Sequence, residues 1–253
     1  WVGGPGTVYR HHWFQIGQWG EGITQGMKVI DGLQESNPTV DIRFTPFHEI
    51  PTPQRKDLIL QNSPSADYVL LNTKYEWYQL KPGELDGYTL FKTVDALGAP
   101  IVKIYKRISP NDNLPKLLES SLWKTSSNFQ PGRTSFAIDH DLNTRWTSLH
   151  AQDPGMYFQI DMLTTTQIQG IGLVNWITPK AYPWGYKVET SLDGIHWTTS
   201  AENPKSPETQ IVLEIFFSPI NARYIKVTQT GYSDLAGWAI HEFYVYPSPH
   251  SAG

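Results

Sequence analysis

The chain contains no cysteine, which excludes a disulfide framework, thiol catalysis and a cysteine-ligated zinc. Long apolar runs are also missing. No window reaches the ~18 consecutive apolar residues of a membrane span, and the first residues do not follow a charged stretch with an apolar one as a signal peptide does. Excess positive charge is lacking too: the net charge is −4 over 253 residues, so no basic face is expected for a nucleic-acid partner. No Asn-x-Ser/Thr acceptor free of an intervening proline occurs. Catalytic signatures are absent: there is no Gly-x-Ser-x-Gly elbow, no P-loop and no His-Glu-x-x-His. Gly17, Gly20 and Gly22 lack the dinucleotide spacing, and the side chains of His11-His12 would diverge on a strand. Glu21, Glu49, Glu76, Glu84 and Asp86 read as solvated surface. No catalytic residue is expected in this chain.

Aromatic residues are abundant by contrast, with 10 Trp and 13 Tyr. Large rings dominate burial, and a surplus of Trp at low charge also suits a surface that stacks on sugar rings.

The two halves follow different patterns. Ile23, Met27, Ile30 and Leu33 recur at helical spacing over Glu21–Leu33, although Gly22, Gly26 and Gly32 weaken that helix. Val40, Ile42 and Phe44 alternate like a half-buried strand. Thr52-Pro53 resembles an N-cap with proline at the first helical position, which predicts a short helix through Leu60. Tyr68 to Leu71 and Ile101 to Tyr105 read as strands. Alternating helix and strand predict a small α/β domain over residues 1–108. The Pro/Asn/Asp-rich stretch Ser109 to Pro115 places a linker at 109–117. Beyond it come short β-branched or aromatic segments separated by turn clusters, and Asp193-Gly194 is a strong hairpin signal. Those segments predict an all-β jelly-roll sandwich over 118–247, with a tail at 248–253.

Residues in that second half carry a family resemblance. FAIDHDLNTRWTS (136–148) resembles the Ala-x-Asp-Gly-Asp-x-x-Thr-x-Trp signature of the coagulation-factor-5/8 C-type, or discoidin, domain, a group that includes the family 32 carbohydrate-binding modules. MYFQIDM (156–162), PWGYKVETSLDGIHW (183–197), INARYIKVTQTG (220–231) and WAIHEFYVY (238–246) resemble its later blocks, in order. The resemblance implies a β-sandwich with Trp146, Phe158, Trp197 and Tyr224 in the core. It implies a structural calcium held by Asp139, Asp141, Thr144 and, from the last strand, Glu242; oxygen-only ligands suit that hard cation. His140 stands where the family has glycine. The alternative for this loop is an Asx turn.

In the family the ligand lies on loops at one end of the sandwich. The candidate carbohydrate-binding residues are Arg133, His150, Asn175, Trp176, Tyr182, Trp184, Tyr232 and Trp238, since a sugar needs a flat apolar surface and a few fixed polar groups. The polar set of galactose-binding relatives transfers only in part: Pro183-Trp184 replaces their Pro-Arg, and Thr147 replaces their His. Discoidin relatives that bind phospholipid use apolar loop spikes flanked by basic residues, for which these loops offer only Arg133 and Lys180.

The first half has a looser resemblance. WGEGITQGMKVIDGL (19–33), ADYVLLNTKYEWYQL (66–80) and IVKIYKR (101–107) look like the soluble, extracytoplasmic domain of bacterial membrane glycosyltransferases of the dolichyl-phosphate-mannose–protein mannosyltransferase type. That implies catalysis and membrane association through a segment upstream of Trp1, with a lipid-linked sugar as donor. It also implies an extracytoplasmic location. The competing expectations are a small glycoside-active domain carrying a sugar-binding module, and a lipid- or protein-docking discoidin domain.

Overall fold

The computed structural model describes residues 21–44, 53–96, 98–109, 117–176, 181–206 and 211–248. The chain divides into two compact units, Trp1–Asp112 and Asn113–Gly253. Among the described residues no helix is long and apolar enough to cross a membrane.

In the first unit, helix α1 (Glu21–Asp31) precedes strands β1 (Thr39–Arg43), β2 (Ile59–Leu60) and β3 (Tyr68–Asn72). Helix α2 (Thr73–Tyr78) and a hairpin of β4 (Tyr88–Ala96) and β5 (Ala99–Arg107) follow. The sheet order is β2-β1-β3-β5-β4, with β2, β1 and β3 parallel and β5 and β4 antiparallel. Ile23, Met27 and Ile30 of α1 are buried. The helix backbone lies against the sheet at two glycines: a Cβ on Gly22 would stand 2.6 Å from the Ile101 carbonyl oxygen, and one on Gly26 would stand 2.8 Å from Leu70. The glycines that weaken the helix locally are what let it approach. No helix forms over 53–60, contrary to the Thr52-Pro53 expectation. Ile59 and Leu60 instead pair in parallel with Thr39 and Val40, so sheet hydrogen bonding overrides the local cap signal.

The second unit contains β6 (Lys124–Ser127), a 3-10 turn (Pro131–Ala137), β7 (Trp146–Gln152), β8 (Tyr157–Val174), β9 (Tyr186–Ser191) and β10 (Thr198–Asn203). It closes with β11 (Val212–Gln229), β12 (Ser233–Ile240) and β13 (Glu242–Pro247). Strands β8 and β11 are each 18 residues long and change neighbours along their length. The first part of β8 pairs with β6 and its second part with β13, while only the later part of β11 pairs with β9. Register shifts in β11, between Phe216 and Ile220 and between Ala222 and Tyr224, mark the bend. The bend brings two layers face to face. Phe158 on the first part of β8 stacks on Phe243 of β13 at 5.9 Å, and Trp146 meets Phe158 and Trp238 edge-on, each at 5.1 Å. These rings centre a core with Ile160, Ile171, Leu173, Val188, Ile225 and Val227.

Trp197 and Tyr224, expected in this core, stand instead on the outward face. Lys226 lies 4.1 Å over the Trp197 ring and the Arg223 guanidinium 4.8 Å over Tyr224. The cause is strand parity: Tyr224 shares its side of β11 with Lys226 and Thr228, opposite the buried Ile225 and Val227.

Candidate binding loops and cation loop

Two constellations form at the loops between these strands. The first is the 136–144 loop with Glu242. Asp139 Oδ1 accepts the Asp141 amide at 3.0 Å, an Asx turn that puts His140 at φ 58°. The Thr144 hydroxyl lies 2.7 Å from Asp139 Oδ2, 3.1 Å from the Asp141 carbonyl and 3.4 Å from the Phe136 carbonyl. A hydroxyl, a carboxylate and two carbonyls therefore converge. Glu242, only 2% exposed, faces this group, and its Oε1 is buried without a hydrogen-bond partner. Burial, and then the negative charge of Asp139, push the Glu242 carboxyl up to about 9, while the backbone amides of Asp141 and His140 partly offset the shift. Two facing carboxylates, one with an orphaned oxygen, fit a hard divalent cation. The Asp141 side chain plays a different part from the one expected. Its Oδ1 accepts the Asn143 amide at 3.0 Å and the Asn143 side chain at 2.7 Å, so Asp141 offers the cluster its carbonyl. Among the described residues no three His, Asp or Glu side chains gather as a metal group, so the expected trio of Asp139, Asp141 and Glu242 side chains is not brought together.

The second constellation is aromatic. Tyr182 and Trp184 are stacked, centroids 6.3 Å apart and planes 14° apart. Two buried glutamines fix their backbone. Gln152 donates to the Tyr182 carbonyl at 3.1 Å and accepts the Trp184 amide at 3.2 Å. Gln229 donates to the Gln152 carbonyl oxygen and accepts the Gly185 amide at 3.4 Å. Close packing continues at Gly231, where a Cβ would meet the Gly185 nitrogen at 2.8 Å. Ser233 pairs with Gln152, which brings exposed Tyr232 to the same strand ends. His150 is exposed and meets Phe129 edge-on at 5.9 Å, and Asn128 bonds the Gly155 carbonyl and the Tyr157 amide. Arg133 is exposed on the 3-10 turn.

Other candidates are withdrawn from the surface. Trp238 is 0% exposed and packs on Trp146; Trp176 and Asn175 are each 1% exposed. None of the three presents a face to a sugar: Asn175 and Trp176 follow β8 where its end is bonded to His241, and Trp238 points from β12 into the core. Tyr182, at 6%, backs Trp184. Lys180 lies outside the described residues. His241 was not singled out by the sequence. It is 1% exposed, its Nδ1 accepts the Trp176 amide at 3.2 Å, and burial, then the charge of Arg145, push it down to about 4, so it is neutral near pH 7. The one sequence signal for it is its place directly before Glu242.

Comparison with known proteins bears on this unit. Residues 121–243 match the F5/8 type C domain family. No curated protein matches the chain. Among solved structures, the family 32 module of Clostridium perfringens NanJ, solved with galactose, is 20% identical over 53% of this chain and 99% of its own, with a TM-score of 0.46. Chitosan-binding module 2 of a Paenibacillus chitosanase/glucanase, solved with chitotriose, is 25% identical over 49% of this chain and 94% of its own, with a TM-score of 0.41. The C-terminal domain of a Bacteroides fragilis chitobiase is 21% identical over 52% and 97%, with a TM-score of 0.43. The C-terminal region of the chain is an F5/8 type C (discoidin) domain.

Proposed function

We propose that the discoidin unit is a carbohydrate-binding module whose platform is the Tyr182–Trp184 stack. The observation that carries this reading is the hydrogen-bonded anchoring of that stack. Its backbone is held by two buried glutamines, Trp184 is half-buried, and Gly231, next to exposed Tyr232, packs against the Trp184 backbone. A preformed aromatic face flanked by a few polar groups is what a sugar ring needs, since little ordering then opposes binding. Trp184 and Tyr232 would carry the stacking, and His150 and Arg133 would meet hydroxyls. Asn175, Trp176 and Trp238 would support the loop from within.

The oxygen cluster would hold calcium, through Asp139, Glu242, the Thr144 hydroxyl and the carbonyls of Phe136 and Asp141. Such an ion would neutralise the facing carboxylates and stiffen the loop. We take the first unit as a separate small α/β domain, and the whole chain as the extracytoplasmic part of a membrane glycosyltransferase that presents a glycan or acceptor to a catalytic segment elsewhere. The reading of the first unit rests on sequence resemblance alone.

A glycan array followed by calorimetry on the hits tests the central claim. Trp184→Ala should weaken the best ligand at least about tenfold, since stacking on one ring contributes on the order of a kcal/mol or more. Its melting temperature should change little. An array without hits, or a Trp184→Ala protein that binds as the parent does, would refute the platform. Flotation with anionic liposomes distinguishes the phospholipid-docking alternative.

A further inference from the structure

The β12–β13 junction, residues 239–242, touches both constellations. The Ala239 amide donates to the Ala181 carbonyl at 2.8 Å, which holds one end of the aromatic loop. At the other end, the His241 amide donates to the Val174 carbonyl at 2.8 Å and His241 Nδ1 accepts the Trp176 amide at 3.2 Å. The next residue is Glu242, whose orphaned Oε1 faces the cation loop. With Nδ1 accepting, the proton of the neutral imidazole sits on Nε2. That Nε2 is buried without a partner, as are both side-chain amide atoms of Asn175. The His241 ring thus bonds the backbone that starts the aromatic loop.

We propose that His241 is a positioning residue that ties the aromatic loop to the cation loop, so that a divalent cation at Asp139 and Glu242 stiffens the backbone carrying Tyr182 and Trp184. The side chain of Glu242 and the ring of His241 leave one stretch of backbone in opposite directions, because neighbouring residues of an extended chain point to opposite sides. Fixing Glu242 on an ion fixes that backbone, and with it the acceptor of the Trp176 amide. A loose Glu242 would leave both free to shift. This inference rests on the cation reading of the oxygen cluster and is independent of which sugar, if any, is bound.

The test is hydrogen exchange on the whole chain, in EGTA and in calcium chloride, with calorimetry of calcium itself. In the parent protein calcium should slow exchange at Trp176 and at residues 181–185 by about tenfold or more, as expected when a locally opening segment is stabilised. His241→Ala should still bind calcium, within about threefold of the parent affinity, but lose that slowing. His241→Asn, whose side-chain oxygen sits near the position of Nδ1, should restore it. Slowing that survives in His241→Ala overturns the proposal, as does calcium binding without slowing in the parent. If calorimetry detects no calcium binding, the cation reading fails and the proposed coupling fails with it. The tether alone is then judged in EGTA, where His241→Ala must speed exchange at Trp176 and 181–185 by about tenfold while Phe158 and Ile225 stay protected. Absence of that acceleration refutes the tether too.

Discussion

The two units treat buried polarity differently. In the first, charged groups are matched within the fold: Arg43 bridges Asp41 and Glu84 at 2.8 Å each, Lys103 reaches Glu76 at 2.7 Å, and Lys106 reaches Glu35 at 2.6 Å. Its buried unpartnered side-chain atoms are scattered singly over Asn72, Glu76 and Arg107. Among the described residues of the second unit, such atoms fall on Asn175, Trp176, Trp184, Trp238, His241 and Glu242, around the aromatic and 136–144 loops. A buried donor or acceptor without a partner costs about 1–3 kcal/mol. Such groups persist where water, an ion or a ligand completes them. The contrast is one of placement: such atoms are dispersed in the first unit and grouped beside the candidate loops in the second.

The largest expected blow to this contrast falls on the aromatic core. Trp146→Ala removes the ring that joins Phe158 to Trp238 and the indole donor to the Phe129 carbonyl. It should destabilise the second unit by about 3–5 kcal/mol. Exchange protection should collapse across β8 and β11 but persist in β3 and β5, and equal loss in both units would show that they do not unfold separately. Calcium comes next. Saturation at about a hundred times its dissociation constant should raise stability by ~2.7 kcal/mol, and Glu242→Ala should abolish the gain in a thermal melt. A comparable gain in that variant would move the cation elsewhere. Gly26→Ala probes the first unit, where the added methyl meets Leu70 and should cost about 1–3 kcal/mol. An unchanged denaturation midpoint would mean that the helix lifts off without strain.

The smallest effect is pH dependence in the first unit. The Arg55 side chain, together with the Asn37 amide, lowers the Asp57 carboxyl to about 2 from an ordinary 3.8. The folded state thus binds its proton later than the unfolded chain. The stabilisation is complete above about pH 4 and disappears as pH falls toward 2. Because the Asp57 side chain is partly exposed, solvent screens the interaction and the contribution is modest. Asp57→Asn should flatten the acid limb of the first unit's stability curve below pH 4, and an unaltered limb would assign that limb to other carboxylates.

Local patterns carried much of the architecture. The spacing of Ile23, Met27 and Ile30 gave a helix from Glu21 that the structure ends at Asp31, and Asp193-Gly194 marked the β9–β10 hairpin. The Asx turn at Asp139 was legible in the 136–144 loop, whereas the orientation of the Asp141 side chain, which a sequence motif does not encode, was not. Non-local burial was not legible. Trp176 and Trp238 lie near a loop in sequence, yet contacts from distant strands seal them in. Trp197 and Tyr224 matched core positions of a family pattern, whereas the alternation Tyr224-Ile225-Lys226-Val227 already assigned Tyr224 to the wet side.

The paired amides of Gln152 and Gln229 have a consequence for how this module could change. Each carbonyl oxygen and each NH2 group along the pair is assigned by its neighbour, so neither amide can flip without setting oxygen against oxygen. Replacing either glutamine with glutamate removes a donor that the scheme requires. The side chains of half-buried Trp184 and exposed Tyr232 take no part in that scheme. Under the carbohydrate reading proposed above, drift in sugar preference is expected to run through those two rings, over an amide frame that serves as a chassis for exchangeable fingertips.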